Sequence, residues 1–227
     1  MSRIEPFLWG VFPYILLTWF AVSLVWRYVR RPFGWTSKSS EFLEKRMLKW
    51  GSVAFHYGIL AVICGHVAGL LVPADVYRSL GIRDETYHLV AVAGGLPAGL
   101  IALAGAAILL VRRVAVPRIR AVSSAGDWVA MIVLLLVIVT GLAATAANAA
   151  NPAHFDYRTT IGPWLRGLLT FRPRPEWMAD VPVGFKIHIL MSFLLYAVFP
   201  FTRLVHVFSV PLGYLKRRYV LYRRRTS

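Results

Sequence analysis

Long apolar runs separated by short clusters of charge set the layout of this chain. Lys, Arg, Asp and Glu are absent from 6–26, 50–74, 89–111, 128–155 and 187–202. A hydrocarbon core of about 30 Å takes roughly 20 helical residues to cross, and the first four runs exceed that. The fifth is shorter, but beyond Arg203 the apolar character resumes as far as Leu215. The pattern predicts an all-α integral membrane bundle of five transmembrane helices, at about 6–27, 50–73, 87–111, 127–150 and 184–210, in one membrane domain covering 1–227 with a basic tail at 211–227. The first run lacks a basic leader of any weight, and Arg27, Arg30 and Arg31 follow it instead of a small-residue cleavage site. It therefore reads as a retained helix. The segment 151–183, with five prolines and several aromatics, reads as a long loop lying along the membrane interface.

Composition agrees with a lipid setting: 58% of the residues are hydrophobic and the mean hydropathy is +0.60. The formal net charge is +16, and its distribution carries the information. The segments 27–49, 112–120 and 216–225 hold seven, four and six Lys and Arg, against one at the N-terminus, two in 75–88 and five in 156–186. By the positive-inside rule the first group is cytoplasmic, which places the N-terminus outside and the C-terminus in the cytoplasm. Basic residues gathered at helix ends meet anionic lipid headgroups first and a cytoplasmic partner protein second, with almost no case for nucleic acid. Cys64 is the one cysteine and lies within the second run, so neither a disulfide nor an iron–sulfur cluster can be built within this chain; it reads as a small packing residue. No repeat and no glycine-rich phosphate loop is visible.

Histidines supply the candidate chemistry. His56 and His66 lie in the second apolar run, and His188 and His206 in the fifth. An imidazole in hydrocarbon is costly unless it has a partner. Hydrogen bonding to a neighbouring helix explains one such residue readily. Four at two depths point instead to two sandwiched metal centres, read as two bis-histidine b-type haems. Proton relays also use intramembrane histidines, but they come with buried Asp or Glu, and these runs hold neither. In antiparallel spans His66 would meet His188 near the outside, and His56 would meet His206 near the inside. On straight helices the intervals are about 15 Å and about 27 Å, a mismatch of about 6 Å at each pair that tilt or a bend at Pro200 must absorb. Gly58, Gly65 and Gly69 would give a flat cofactor room beside the second span. Arg203, one turn before His206, and then Arg112 are candidates to bind haem propionates, with snorkelling to headgroups as the alternative. Asp127 reads as a helix cap, and His88 and His154 as interfacial polar residues.

The residues also carry a family resemblance. The runs Phe55-His56-Tyr57-Gly58-Ile59-Leu60, Gly65-His66-Val67-Ala68-Gly69, Pro117-Arg118-Ile119-Arg120 with Gly126-Asp127, and above all 199–211 from Phe199-Pro200-Phe201 through Arg203 and His206 to Pro211, resemble the gamma subunit of membrane-bound respiratory nitrate reductase over nearly the whole length. The resemblance implies a multi-pass subunit of a bacterial or archaeal cell membrane. Such a subunit is a dihaem cytochrome b that oxidises quinol and passes electrons to an iron–sulfur beta subunit and then to a molybdenum-containing alpha subunit. It implies His66 and His188 as ligands of one haem, His56 and His206 as ligands of the other, and a quinol pocket at Gly65 and His66. The family's quinol site includes a lysine just before the third span. Thr86 stands there in this chain, with His88, Arg83 and Glu85 as nearby substitutes. A related haem-bearing subunit feeding another acceptor, such as one of dissimilatory sulfite reduction, a histidine-relay proton channel and a passive membrane anchor are the competing readings.

Overall fold

The structure is a computed structural model and describes residues 4–30, 40–151 and 153–208. Its elements are α1 (Ile4–Arg30), α2 (Arg46–Leu71), the short α3 (Ala74–Ser79), α4 (Asp84–Ala115), the short α5 (Pro117–Ala121), α6 (Ala125–Ala149), α7 (Ile161–Leu169) and α8 (Val183–Phe201). Five of these, α1, α2, α4, α6 and α8, are long and apolar enough to cross a membrane. In lipid an apolar segment must satisfy its own backbone groups, and the helix does so within one run of chain. The starts are written locally. At α6 the Asp127 amide donates to the Ser124 hydroxyl while the Ser124 amide donates to the Asp127 carboxylate, at 3.3 and 3.0 Å. Pro117 opens α5, where a missing N–H costs nothing.

Small residues then set which helices touch. A Cβ on Gly58 of α2 would lie 2.5 Å from the Ala102 amide nitrogen of α4, and one on Gly105 would strike the Phe55 backbone. Those two helices therefore approach backbone to backbone. Gly99 brings Leu142 of α6 onto α4, and Gly141 brings His188 of α8 onto α6. The neighbour order is α2, α4, α6, α8, with α1 outside α8 and joined to it by aromatic contacts, among them Phe12–Phe193 and Phe20–Tyr196 at 5.7 and 5.5 Å between ring centres. Helix α2 faces α8 through His66 and His188, and faces the segment beyond α8 through His56 and His206. Cys64 is exposed on the surface of α2 and is not a packing residue, because the small-residue face is supplied by the glycines.

At the end marked by Trp9, the expected interfacial loop turns out to be structure. Helix α7 and a 3-10 turn at Pro175–Met178 fold under the helix ends. Trp9, Ile161, Trp164, Leu168, Met178 and Val181 form a buried cluster, and Trp164 Nε1 donates to the Trp9 carbonyl at 2.8 Å. Prolines masked this segment in the sequence. Pro163 sits in the first turn of α7, where its missing N–H is no loss, and Pro175 opens the 3-10 turn.

At the opposite end, marked by Arg27, the fifth span departs from the expected continuous rod. Regular α-helix stops at Val198, a 3-10 turn covers Phe199–Phe201, Thr202 is extended, and a second 3-10 segment runs Arg203–Phe208. Pro200 cannot donate to the helix and breaks the ladder. The carbonyls of Pro200 and Thr202 are taken up by Arg27 Nη1 of α1 at 2.6 and 2.7 Å. Residues 209–210 of the expected fifth span and the basic tail 211–227 lie outside the described residues.

Candidate functional site

The four intramembrane histidines stand as two facing pairs. The ring centres of His66 and His188 are 6.0 Å apart, and those of His56 and His206 are 6.1 Å apart. The break at Thr202 reconciles the unequal sequence intervals, since the stretch from His188 to His206 no longer follows one straight axis. In three of the four, Nδ1 donates to a main-chain carbonyl of the preceding turn: His56 to Ser52, His66 to Val62 and His206 to Arg203, at 2.7, 2.8 and 2.7 Å. His188 differs. Its Nδ1 lies 3.3 Å from the Thr140 hydroxyl of α6, which itself donates to the Leu136 carbonyl at 2.8 Å, and the ring also donates to the Val137 main chain of that helix. With Nδ1 committed as a donor, Nε2 of each ring carries the lone pair a metal needs.

This arrangement suits one kind of group. Among the described residues no three His, Cys, Asp or Glu side chains converge as a metal cage, so a bare ion has too few ligands. A porphyrin brings four nitrogens of its own and would take two more from the protein, which His66 with His188, or His56 with His206, would supply. A metal–imidazole bond of about 2 Å, with about 1.1 Å from nitrogen to ring centre, would put the centres of two imidazoles sharing one metal about 6.2 Å apart. Both observed separations match within a few tenths of an ångström. A Cβ at Gly65, next to His66, would meet nothing within 4 Å, whereas Gly58 and Gly69 are taken up by contacts to Ala102 and to Tyr157 and Tyr87.

The arginines are committed elsewhere to different extents. Arg112 is buried and donates to Glu44 Oε2, to the Ser40 hydroxyl and to the Ser40 and Glu44 carbonyls, which fastens the loop before α2 onto α4 and occupies most of its donors. Arg203 gives Nε to Asp127 at 2.6 Å and stays one-third exposed, so it is the freer of the two for a carboxylate beside His206. Asp127 is thus more than a cap: it also holds Arg113 at 3.5 Å. Burial and backbone contacts act on Glu44 in opposite senses; desolvation raises its carboxyl, and the Met47 and Leu48 amides with Arg112 bring it below its ordinary value.

The candidate quinol residues separate in space. Thr86 is exposed. His88 turns away to stack on His154, 3.9 Å between ring centres, in an open cleft of about 380 Å³ that Glu85, Val92 and Ala149 also line. Tyr87, between them in sequence, faces α2 instead and places its hydroxyl 3.1 Å from where a Gly69 Cβ would stand. Sequence reasoning missed Tyr87 and its neighbour Tyr157. The signal for Tyr87 was available, since it shares the α2-facing stripe of α4 with Ala98, but nothing local shows that Tyr157 returns to α2.

Residues 5–225 match the nitrate reductase gamma subunit family. The chain belongs to that family. It is 50% identical over 219 residues to the nitrate reductase gamma chain of Bacillus subtilis (strain 168), covering 96% of this chain and 98% of that one. It is 34% identical over 227 residues to the respiratory nitrate reductase 2 gamma chain of Escherichia coli (strain K12), covering 99% of each. A more distant likeness, 25% over 170 residues, links 74% of it to 49% of an Hdr-like menaquinol oxidoreductase cytochrome b-like subunit of Archaeoglobus profundus. This gamma subunit is a membrane component of a respiratory nitrate reductase, from a family that binds haem b, and a gamma chain implies alpha and beta partners.

Proposed function

We propose that the gamma subunit holds two b haems, one between His66 and His188 toward the outside and one between His56 and His206 toward the cytoplasm, and oxidises membrane quinol near the outer leaflet. The electrons would pass inward to an iron–sulfur beta subunit and on to a molybdenum-containing alpha subunit, where nitrate is reduced. When bound, the haems supply reversible one-electron chemistry at two depths. The protein's own part is to fix the imidazoles, keep water out and orient the quinol. The carrying observation is the pair of imidazole separations, 6.0 and 6.1 Å, with Nδ1 already engaged on every ring. Engaged Nδ1 atoms argue against a proton relay, in which both ring nitrogens must exchange protons.

Orientation follows the basic residues: the Arg27 end, with the loops rich in Lys and Arg, faces the cytoplasm, and the Trp9 end faces out. Quinol protons released at the outer side while electrons move inward would separate charge across the membrane. Arg203 would meet an inner propionate, since Arg112 has most of its donors committed to Ser40 and Glu44. The Archaeoglobus relative, whose name carries both menaquinol and cytochrome b, supports the same division of labour. The test is a haem-to-protein ratio on the purified subunit, read from reduced-minus-oxidised spectra. Two b haems per chain are expected, and a colourless preparation overturns the reading.

A further inference from the structure

We propose that the hydroxyls of Tyr87 and Tyr157 bind the head-group oxygen of the quinol, in a gap between α2 and α4 that Gly65 and Gly94 leave open beside His66. The proposal rests on the reading of this subunit as the quinol-oxidising one.

The gap has identifiable walls. Along α2, Gly58, Gly65 and Gly69 fall within about 40° of one another on a helix of 3.6 residues per turn, and along α4 Tyr87, Gly94 and Ala98 do the same. Toward the middle of the bundle the seam is tight, with a Gly58 Cβ 2.9 Å from the Ala98 carbonyl oxygen. Toward the Trp9 end it is closed again: a Gly69 Cβ would stand 2.8 Å from Tyr157 Cε2, 3.2 Å from its hydroxyl and 3.1 Å from that of Tyr87. Between these closures Gly65 and Gly94 are exposed, and a Cβ on either would meet nothing within 4 Å, so the gap is open to the outside of the bundle. Pro97, inside α4, has no N–H and removes a rung of its ladder at this height.

Tyr157 is placed over the imidazole pair as well as beside the gap. It touches Gly69, three residues beyond His66, and its ring lies 6.3 Å from that of Phe185, three residues before His188. Tyr157 therefore bridges α2 and α8 one turn outward of both rings. The two hydroxyls converge on one spot, 3.1 and 3.2 Å from where a Gly69 Cβ would stand. Burial holds the Tyr157 hydroxyl above its ordinary value, so it stays protonated and can both donate and accept.

Behind the pair stands a polar cluster that leads to solution. The Arg158 guanidinium lies 4.0 Å over the Tyr87 ring, its side chain 2% exposed. It pairs with Asp84 and Asp156, each at 2.8 Å, yet its Nη1 has no hydrogen-bond partner. Asp84 also meets Arg78 at 2.9 Å and is 40% exposed. A buried donor left over beside two tyrosines is a group a bound oxygen would satisfy, directly or through a water.

Tyr157→Phe and Tyr87→Phe test this, because each keeps the ring and its packing and removes the hydroxyl. Menadiol serves as substrate and menadione as a binding probe, measured by equilibrium dialysis on the purified complex. In the double variant KM for menadiol and Kd for menadione should rise about tenfold, as expected for a lost buried hydrogen bond, with the haem spectrum unchanged. Gly94→Leu fills the gap without touching a hydroxyl and should abolish menadione binding at wild-type haem content. If both variants bind menadione as the wild type does while the wild type carries its haems, the tyrosine site is wrong and the quinol reading stands. If the wild type carries haem and binds no menadione, the quinol reading itself falls, and the site with it.

Discussion

Three of the four intramembrane imidazoles lean on carbonyls of their own chain segment, and His188 leans on α6, at the Thr140 hydroxyl and the Val137 main chain. A hydroxyl is a weaker acceptor than a carbonyl and can be removed without disturbing a backbone. Thr140→Val should shift the midpoint potential of one b haem and leave the other at its wild-type value, with Thr140→Ser restoring it; a potentiometric titration of the spectrum reads this. Gly141 holds the same ring from the side, since a Cβ there would stand 2.9 Å from His188 Cε1. His66→Ala removes a ligand outright. It should halve the haem content and stop quinol oxidation, and an unchanged spectrum would count against the pairing.

Elements are held to one another through glycine faces and through side chains that mend broken ends. At Gly58 the two backbones are in contact, so Gly58→Leu must force α2 and α4 apart, at a cost of about 1–3 kcal/mol. A lowered unfolding temperature in detergent would show it, while Gly65→Ala, facing open space, should leave that temperature close to the wild-type value. Arg27 does for α8 what a cap does for an intact helix. Arg27→Gln should loosen the Thr202 bend and cost haem at the inner pair before the outer. The five helices and the four histidines were legible in the chain because hydropathy and the 3.6-residue repeat are local signals. What was not legible rests on long-range contacts. The partners of Arg112 and Arg203 stand 68 and 76 residues away, at Glu44 and Asp127. The return of 155–158 to the ends of α2 and α4 has no signature in its own sequence, and α7 was hidden among prolines that sit where helices tolerate them.

For the whole molecule, charge and pH act through the ends of the bundle. The Glu44 carboxylate lies outside the spans, and its folded value is lowered below the ordinary 4.5. A lowered value means that its stabilisation is complete above pH 4.5 and disappears as pH falls through the folded value. Glu44→Gln leaves Arg112 buried without its counter-charge. The variant should unfold at a lower temperature than wild type at neutral pH, with the difference closing in acid, as followed by thermal melts across a pH series. A cysteine at Ser79 should react with an impermeant thiol reagent from outside the cell, and one at Ser123 only after the membrane is opened.

The fifth span is a straight rod beside His188 and a hinge beside His206, held shut from a helix that contributes no ligand. The two centres should therefore fail in sequence on warming. On the proposed function the haem held by His56 and His206 would let go first, at the temperature where α1 slackens, and the one held by His66 and His188 would outlast it.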